Sequence, residues 1–323
     1  MKKNWKPIDL EQVTTYPIHD RVNKVSIRDF ASVPTSYEGT KALLFSLPKI
    51  LKAPDFLELI ERVVTAHQQN KPVIFMIGGH VIKCGLSPII IDLIQRGIVT
   101  ALAFNGATSI HDFEIALIGE TSEAVEKYIQ TGKFGMVEET GRLMNEAIQE
   151  AAKAGMGMGE GLGKKLIHMD AQYNDYSLLV AGAQFGIPIT VHVAVGTDII
   201  HQHPLADGGA IGEASFTDFR LFTAIVAELG DGGVVLNLGS AVLLPEVFLK
   251  ALTIARNLGN RVTHFTTANF DMIQQYRPLE NVVKRPTHTG GQGYAFTGHH
   301  EIMIPLLANA IVSTIEERTD SKN

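Results

Sequence analysis

Five short polar turns, each just past a run of β-like apolar residues, constrain this chain more than any other feature. They are Gly78-Gly79-His80, Gly106-Ala107-Thr108-Ser109-Ile110-His111-Asp112, Gly196-Thr197-Asp198, Asn237-Leu238-Gly239-Ser240 and Thr267-Ala268-Asn269-Phe270-Asp271. Helical periodicity separates the apolar runs, and alternation of buried strands with helices builds parallel sheets. In an open parallel sheet the carboxyl ends of all strands face one crevice, which is where such folds bind ligands. The expectation is therefore an α/β fold: a Rossmann-like parallel sheet with helices on both faces.

The strand-like runs are Val73–Ile77, Val99–Phe104, Ile189–Val195, Val234–Leu238 and Val262–Thr266. Amphipathic stretches at 53–69, 89–94, 176–185, 216–229, 245–258 and 302–315 read as helices. Ser87-Pro88 starts one helix, with serine as cap and proline in its first turn, and Gly97 ends it. Ser109 with Asp112 three residues on reads as a capping-box variant. Two regions depart from the alternation. Residues 1–40 show little periodicity and read as an irregular arm that packs over a neighbour or begins the fold late, leaving 41–323 as one nucleotide-binding-type domain. Residues 120–165 read as a helical insertion or lid, and Gly290–Gly298 as irregular chain.

With 45% apolar residues the chain has ample material for a core, and a net charge of −6 argues against a nucleic-acid partner. Cys84 is the single cysteine, which excludes an intrachain disulfide and a cysteine-rich metal site and fits a cytoplasmic setting. No stretch supplies the roughly 20 apolar residues of a membrane span. The N-terminal sequence also lacks the apolar core of a secretory signal.

The glycine run Gly155–Gly163 satisfies neither G-x-G-x-x-G nor the P-loop pattern, so it is expected to be a mobile loop or a glycine-spaced packing face. Asn237-Leu238-Gly239-Ser240 is the better phosphate candidate, because unpaired amides at a strand-to-helix junction face an anion. A tight turn with a capping serine explains it equally well. His201-Gln202-His203 with Asp198 offers an alternative metal set, and His111-Asp112 and His299-His300-Glu301 add further donors. No helical H-E-x-x-H is present, and histidines at strand ends also suit proton transfer near neutral pH, so metal is not favoured. His192, inside an apolar run, reads as a buried structural histidine, and His80 as a crevice residue. Glu114 reads as a general base or a solvated face residue, the second being favoured. Arg277, Glu280, Lys284 and Arg285 either bind an anion or staple their loop.

From about Gly78 to Ala310 the order and character of these junctions resembles deoxyhypusine synthase. Asn105-Gly106-Ala107 with His111-Asp112 stands where that family has an Ala-Gly-Gly turn and an acidic pair. Ile187-Pro188-Ile189 leading to Thr197-Asp198 is similar to its Ile-Pro-Val strand ending in Thr-Asp-Gly, and Thr267–Asp271 to its Thr-Ala-Gln-Glu-Phe-Asp stretch. The resemblance implies NAD as cofactor, a small-molecule substrate and a homotetramer or homodimer. The family's imine-forming lysine, in a Trp-Gly-Lys segment, has no counterpart: Arg285–Ala310 contains neither Trp nor Lys. The expected function is accordingly an NAD-binding enzyme acting on an amine or other small polar substrate without making deoxyhypusine. In that reading His111 or His201 is the acid/base, and Asp112 or Asp198 orients it or binds ribose. Gly78, Gly79, Asn105, Gly106, Thr197, Gly239, Ser240, Asn269 and Asp271 border the cofactor. The alternatives are a metal-dependent hydrolase using His201, His203 and Asp198, and a ligand sensor without catalysis.

Overall fold

The computed structural model describes residues 5–11, 13–22, 24–34 and 39–320; the first four residues, read above for a leader sequence, lie outside them. In chain order the main elements are α1 (Gly39–Ser46), α2 (Lys52–Gln68), β1 (Val73–Ile77), α3 (Gly79–Lys83), α4 (Ser87–Gln95), β2 (Ala101–Asn105) and α5 (Gly106–Ile118). There follow α6 (Val125–Tyr128), α7 (Glu138–Lys153), α8 (Met158–His168), α9 (Leu178–Phe185), β3 (Ile189–His192), α10 (Gly208–Ala227) and β4 (Val234–Leu238). The chain continues through α11 (Leu243–Asn257), β5 (Thr266–Asp271), α12 (Tyr276–Pro278), β6 (Gln292–Thr297) and α13 (His300–Asp320).

All six strands are parallel, in the order β3-β2-β1-β4-β5-β6. This is the strand order of the doubly wound dinucleotide-binding fold, and the direction of winding reverses between β1 and β4. A parallel sheet is covered on both faces, which is why β1 and β4 are apolar or buried at every position. Successive side chains serve opposite layers: Val73, Phe75 and Ile77 pack with α2, α4, α5 and α13, whereas Ile74 and Met76 pack with α10 and α11. Each large aliphatic buried this way contributes about 2 kcal/mol.

The insertion is part of the core rather than a lid. Met144, Ala147 and Ile148 of α7 and Met158, Leu162 and Leu166 of α8 are buried in the main cluster. The glycine run forms α8, and its glycines are a packing face: a Cβ at Gly159 would lie 1.9 Å from the Ile189 carbonyl oxygen and one at Gly161 2.5 Å from Ala151 Cβ. Asp218 of α10 fastens this layer to the sheet by accepting from the amides of Gly159 (2.9 Å) and Val191 (2.8 Å). Burial nevertheless pushes its carboxyl up to about 7.

Three expectations are corrected. The fifth strand begins at Thr266 rather than ending there, because the Val262–Phe265 run is spent bonding to the turn before β4: Asp231 and Gly232 amides donate to the carbonyls of Thr263 and His264. A sixth strand crosses the glycine-rich segment taken as irregular; a Cβ at Gly293 would meet the Val283 carbonyl oxygen at 1.9 Å, so glycine is what lets the 279–284 turn lie on this edge strand. Helix α5 starts at Gly106 with Asn105 as its cap, not at Ser109.

Candidate functional site

The carboxyl edge of the sheet brings together some of the candidate residues and not others. Asn105 pairs with His192 and Asp271 with Thr297 in the strand registers, and Gly78 and Gly239 each follow a paired residue, Ile77 and Leu238. Asn105, Gly78, Gly239 and Asp271 thus form one row across four adjacent strands. At the point of reversal the two central turns touch. The Gly78 amide donates to the Leu238 carbonyl at 2.9 Å, and a Cβ at Gly78 would lie 2.3 Å from the Gly239 carbonyl oxygen. Gly239 adopts φ +74°, with the His300 ring where its side chain would be, Cε1 at 2.8 Å. The space a side chain would take at each of these glycines is therefore filled by protein.

On one side of the reversal stands His111, half-buried on α5. Its ring edge approaches Gly79, with Cδ2 3.0 Å from the position of a Cβ there. Nδ1 is 2.7 Å from Thr121 Oγ1, whose hydroxyl donates to Glu114 Oε2 at 2.5 Å, while Thr140 donates to Glu114 Oε1 at 3.1 Å. Burial, with the nearby Lys83 charge, lowers the His111 imidazole to about 4, so it is neutral at physiological pH. Glu114 is therefore no idle face residue, contrary to expectation. The spacing of His111 and Glu114 places them on one helical face, but nothing local in the sequence announces Thr121.

Asp112, expected beside His111, points elsewhere. It is fully buried and accepts from the Ser177 hydroxyl (2.6 Å) and the amides of Leu178 (2.8 Å) and Leu179 (2.9 Å), capping α9. Burial raises its carboxyl to about 6 against these bonds, which favour the charge. It does not reach the carboxyl edge.

Asp198 and His201 do come together, over the first turn of α5. The Asp198 carboxylate lies against Gly106, Oδ2 being 1.9 Å from where a Cβ would stand. His201 Nδ1 accepts from the amides of Gly196 (3.1 Å) and Asp198 (3.3 Å), so its Nε2 carries the hydrogen. That Nε2 is 4.0 Å from Asp198 Oδ2, and both atoms are buried without a hydrogen-bond partner. Burial raises the Asp198 carboxyl to about 6 and lowers the His201 imidazole.

The remaining candidates are held locally. Asn105 spends its side chain on Thr108, accepting from amide and hydroxyl. Thr197 closes a turn on the Ala194 carbonyl at 2.7 Å, and Ser240 Oγ accepts from the Leu244 amide at 3.2 Å. Asn269 lies inside β5, fully buried, linking Asn237 (2.7 Å) to Gln274 (2.8 Å). His192 is the structural histidine expected, 3.0 Å from Thr190 Oγ1 and packed on Phe222, and burial lowers it to about 3. The metal alternative is dispersed: His203 turns to Glu138 at 3.4 Å, away from Asp198 and His201. Among the described residues no group of three His, Cys, Asp or Glu side chains is arranged to hold a metal ion. Arg277, Lys284 and Arg285 staple their loop to Glu246, Glu280 and Asn281.

No protein-family model and no curated protein sequence matches the chain. Solved structures do. A conserved protein assigned to the LOR/SDH class, from Methanococcus maripaludis S2, superposes with TM-score 0.50 at 14% identity, over 88% of this chain and 73% of its own. A protein assigned as a deoxyhypusine synthase from Entamoeba histolytica matches with TM-score 0.50 at 10% identity, over 93% and 97%. AgrE, solved in ternary complex with ornithine and NAD+, matches with TM-score 0.51 at 11% identity over 82% of this chain, which spans about a third of AgrE. The chain shares their fold. At these identities the likeness concerns the fold alone. No helix among the described residues is long and apolar enough to cross a membrane.

Proposed function

We propose that this chain is an NAD-binding enzyme, acting on an amine or other small polar substrate at the carboxyl edge of its sheet and not forming deoxyhypusine. The observation that carries the reading is the winding reversal between β1 and β4, with His111 on one side of it and Asp198 and His201 beyond. AgrE, of the same fold, is described with NAD+ bound. The residues present fit a dinucleotide. Gly79 and His80 open α3 with amides that have no intrahelical acceptor, and exposed His80 adds a side chain beside them. Their place is over the touching Gly78 and Gly239 turns. NAD supplies a hydride acceptor when bound. The chain's own part is to bind and orient a small molecule, with the neutral His111 ring taking a proton at Nε2. The absence of lysine from 285–310 argues against the imine route.

We further propose a homodimer or homotetramer in the cytoplasm. Exposed apolar side chains on the arm, including Ile8, Val22, Ile27 and Val33, and on the edge loops, including Val195 and Ile273, support self-association. The test is turnover: with NAD+ and a panel of small amines and hydroxy compounds, reduced nicotinamide should form, and His111→Gln should slow it at least a hundredfold. NAD binding with no turnover on any substrate would move the chain to a ligand sensor.

A further inference from the structure

We infer that Glu114 and Thr121 are positioning residues that fix His111 as the Nδ1–H tautomer, so that the ligand group it meets is a hydrogen-bond donor, a hydroxyl or an amine. This rests on reading the carboxyl edge as the ligand site. The geometry leaves little choice of proton positions. A carboxylate can only accept, so the 2.5 Å contact uses the single Thr121 hydroxyl proton for Glu114 Oε2. Thr121 Oγ1 is then an acceptor, and the 2.7 Å contact to His111 requires Nδ1 to carry the hydrogen. Thr140, donating to the other carboxylate oxygen at 3.1 Å, holds Glu114 in place.

The network exists because the chain turns back on itself. Gly119 ends α5 with φ +73°, and Thr121 returns along the helix to the face that carries His111 and Glu114. Nδ1 is thereby turned into the protein while the opposite ring edge lies against Gly79. Among the described residues Nε2 has no hydrogen-bond partner, and it is not one of the enclosed polar atoms. It therefore presents a lone pair at the end of β1. A histidine free in water favours the other tautomer, so the arrangement is imposed by the partners of Nδ1. A neutral imidazole with an outward lone pair accepts a proton or hydrogen bond and gives none. A carbonyl or carboxylate oxygen placed there meets an acceptor and is rejected, since a buried acceptor facing another acceptor loses its hydrogen bond.

Nitrogen NMR of the uniformly labelled full chain tests this, with the His111 ring signals assigned by comparison with His111→Gln. At neutral pH the wild-type ring should be in the Nδ1–H form. Thr121→Val, which keeps shape and removes the acceptor, should shift the ring toward Nε2–H, and Thr121→Ser should restore the wild-type signature. A wild-type ring in the Nε2–H form overturns the inference, as does a tautomer indifferent to Thr121→Val. Should Thr121→Val fail to fold, the wild-type signature decides alone. The measurement needs no cofactor, so a chain that binds no NAD but shows the Nδ1–H ring contradicts the proposed function and leaves the network standing.

Discussion

His111 and His201 stand on the same edge of the sheet, and their rings are held with opposite polarity. Nδ1 of His111 gives its hydrogen to Thr121, whereas Nδ1 of His201 receives hydrogens from two backbone amides. One ring offers a lone pair outward; the other aims an N–H at a carboxylate 4.0 Å off. Residue type alone did not separate these roles. The group bonded to the inner nitrogen did: the turn after α5 supplies it for His111, and the segment after β3 for His201. The aspartates near these histidines in sequence, Asp112 and Asp198, diverge likewise. Both are raised to about 6 by burial, yet Asp112 is satisfied by a hydroxyl and two amides, and Asp198 Oδ2 by nothing.

That contrast can be broken at its strongest point by Asp112→Ala, which strips the acceptor from three buried donors at the start of α9. We expect a loss of about 3 kcal/mol or more in urea unfolding. A loss below about 1 kcal/mol would mean that Asp112 is not the cap it resembles. Next in size is Gly106→Ala. The added methyl meets Asp198 Oδ2, so the carboxylate must swing away, at a cost of about 1–3 kcal/mol, with His201 losing its facing charge. An unchanged His201 ring spectrum in this variant would contradict the pairing.

The effect that sharpens the comparison most belongs to Asp198→Asn. The folded-state value of about 6 lies above the usual 3.8, so the proton binds the folded chain more tightly and stability contributed by this group falls as pH rises from about 4 to 6. Burial outweighs the favourable amino end of α5 in setting that direction. The variant should gain on the wild type across this window and hold a constant lead above it. A difference in unfolding midpoint that does not change with pH would show that Asp198 titrates normally.

How far the sequence showed this site depended on whether a residue acts through its neighbours in the chain. β1 and β4 are legible to the residue because fully buried parallel strands are unbroken apolar runs bounded by turn residues. β5 is not, since Thr-Thr-Ala-Asn carries no apolar alternation and its polar members are paid back by Asn237, Gln274 and the Val282 carbonyl. β6 hides behind Gly293. The glycine turns and the histidines of the edge were visible as types at junctions. Their roles were not: Asp112 is claimed by Ser177 and the residues after it, far along the chain, and His111 by Thr121 across a helix end.

The proposed binding of a dinucleotide at the β1 and β4 turns is tested most directly by native mass spectrometry of the full chain titrated with NAD+. It should show one dinucleotide per chain, retained in His111→Gln and strongly weakened in His80→Glu, where an exposed side chain beside the α3 amides becomes an anion without disturbing the core. No adduct at millimolar NAD+, or equal binding by His80→Glu and wild type, would contradict it.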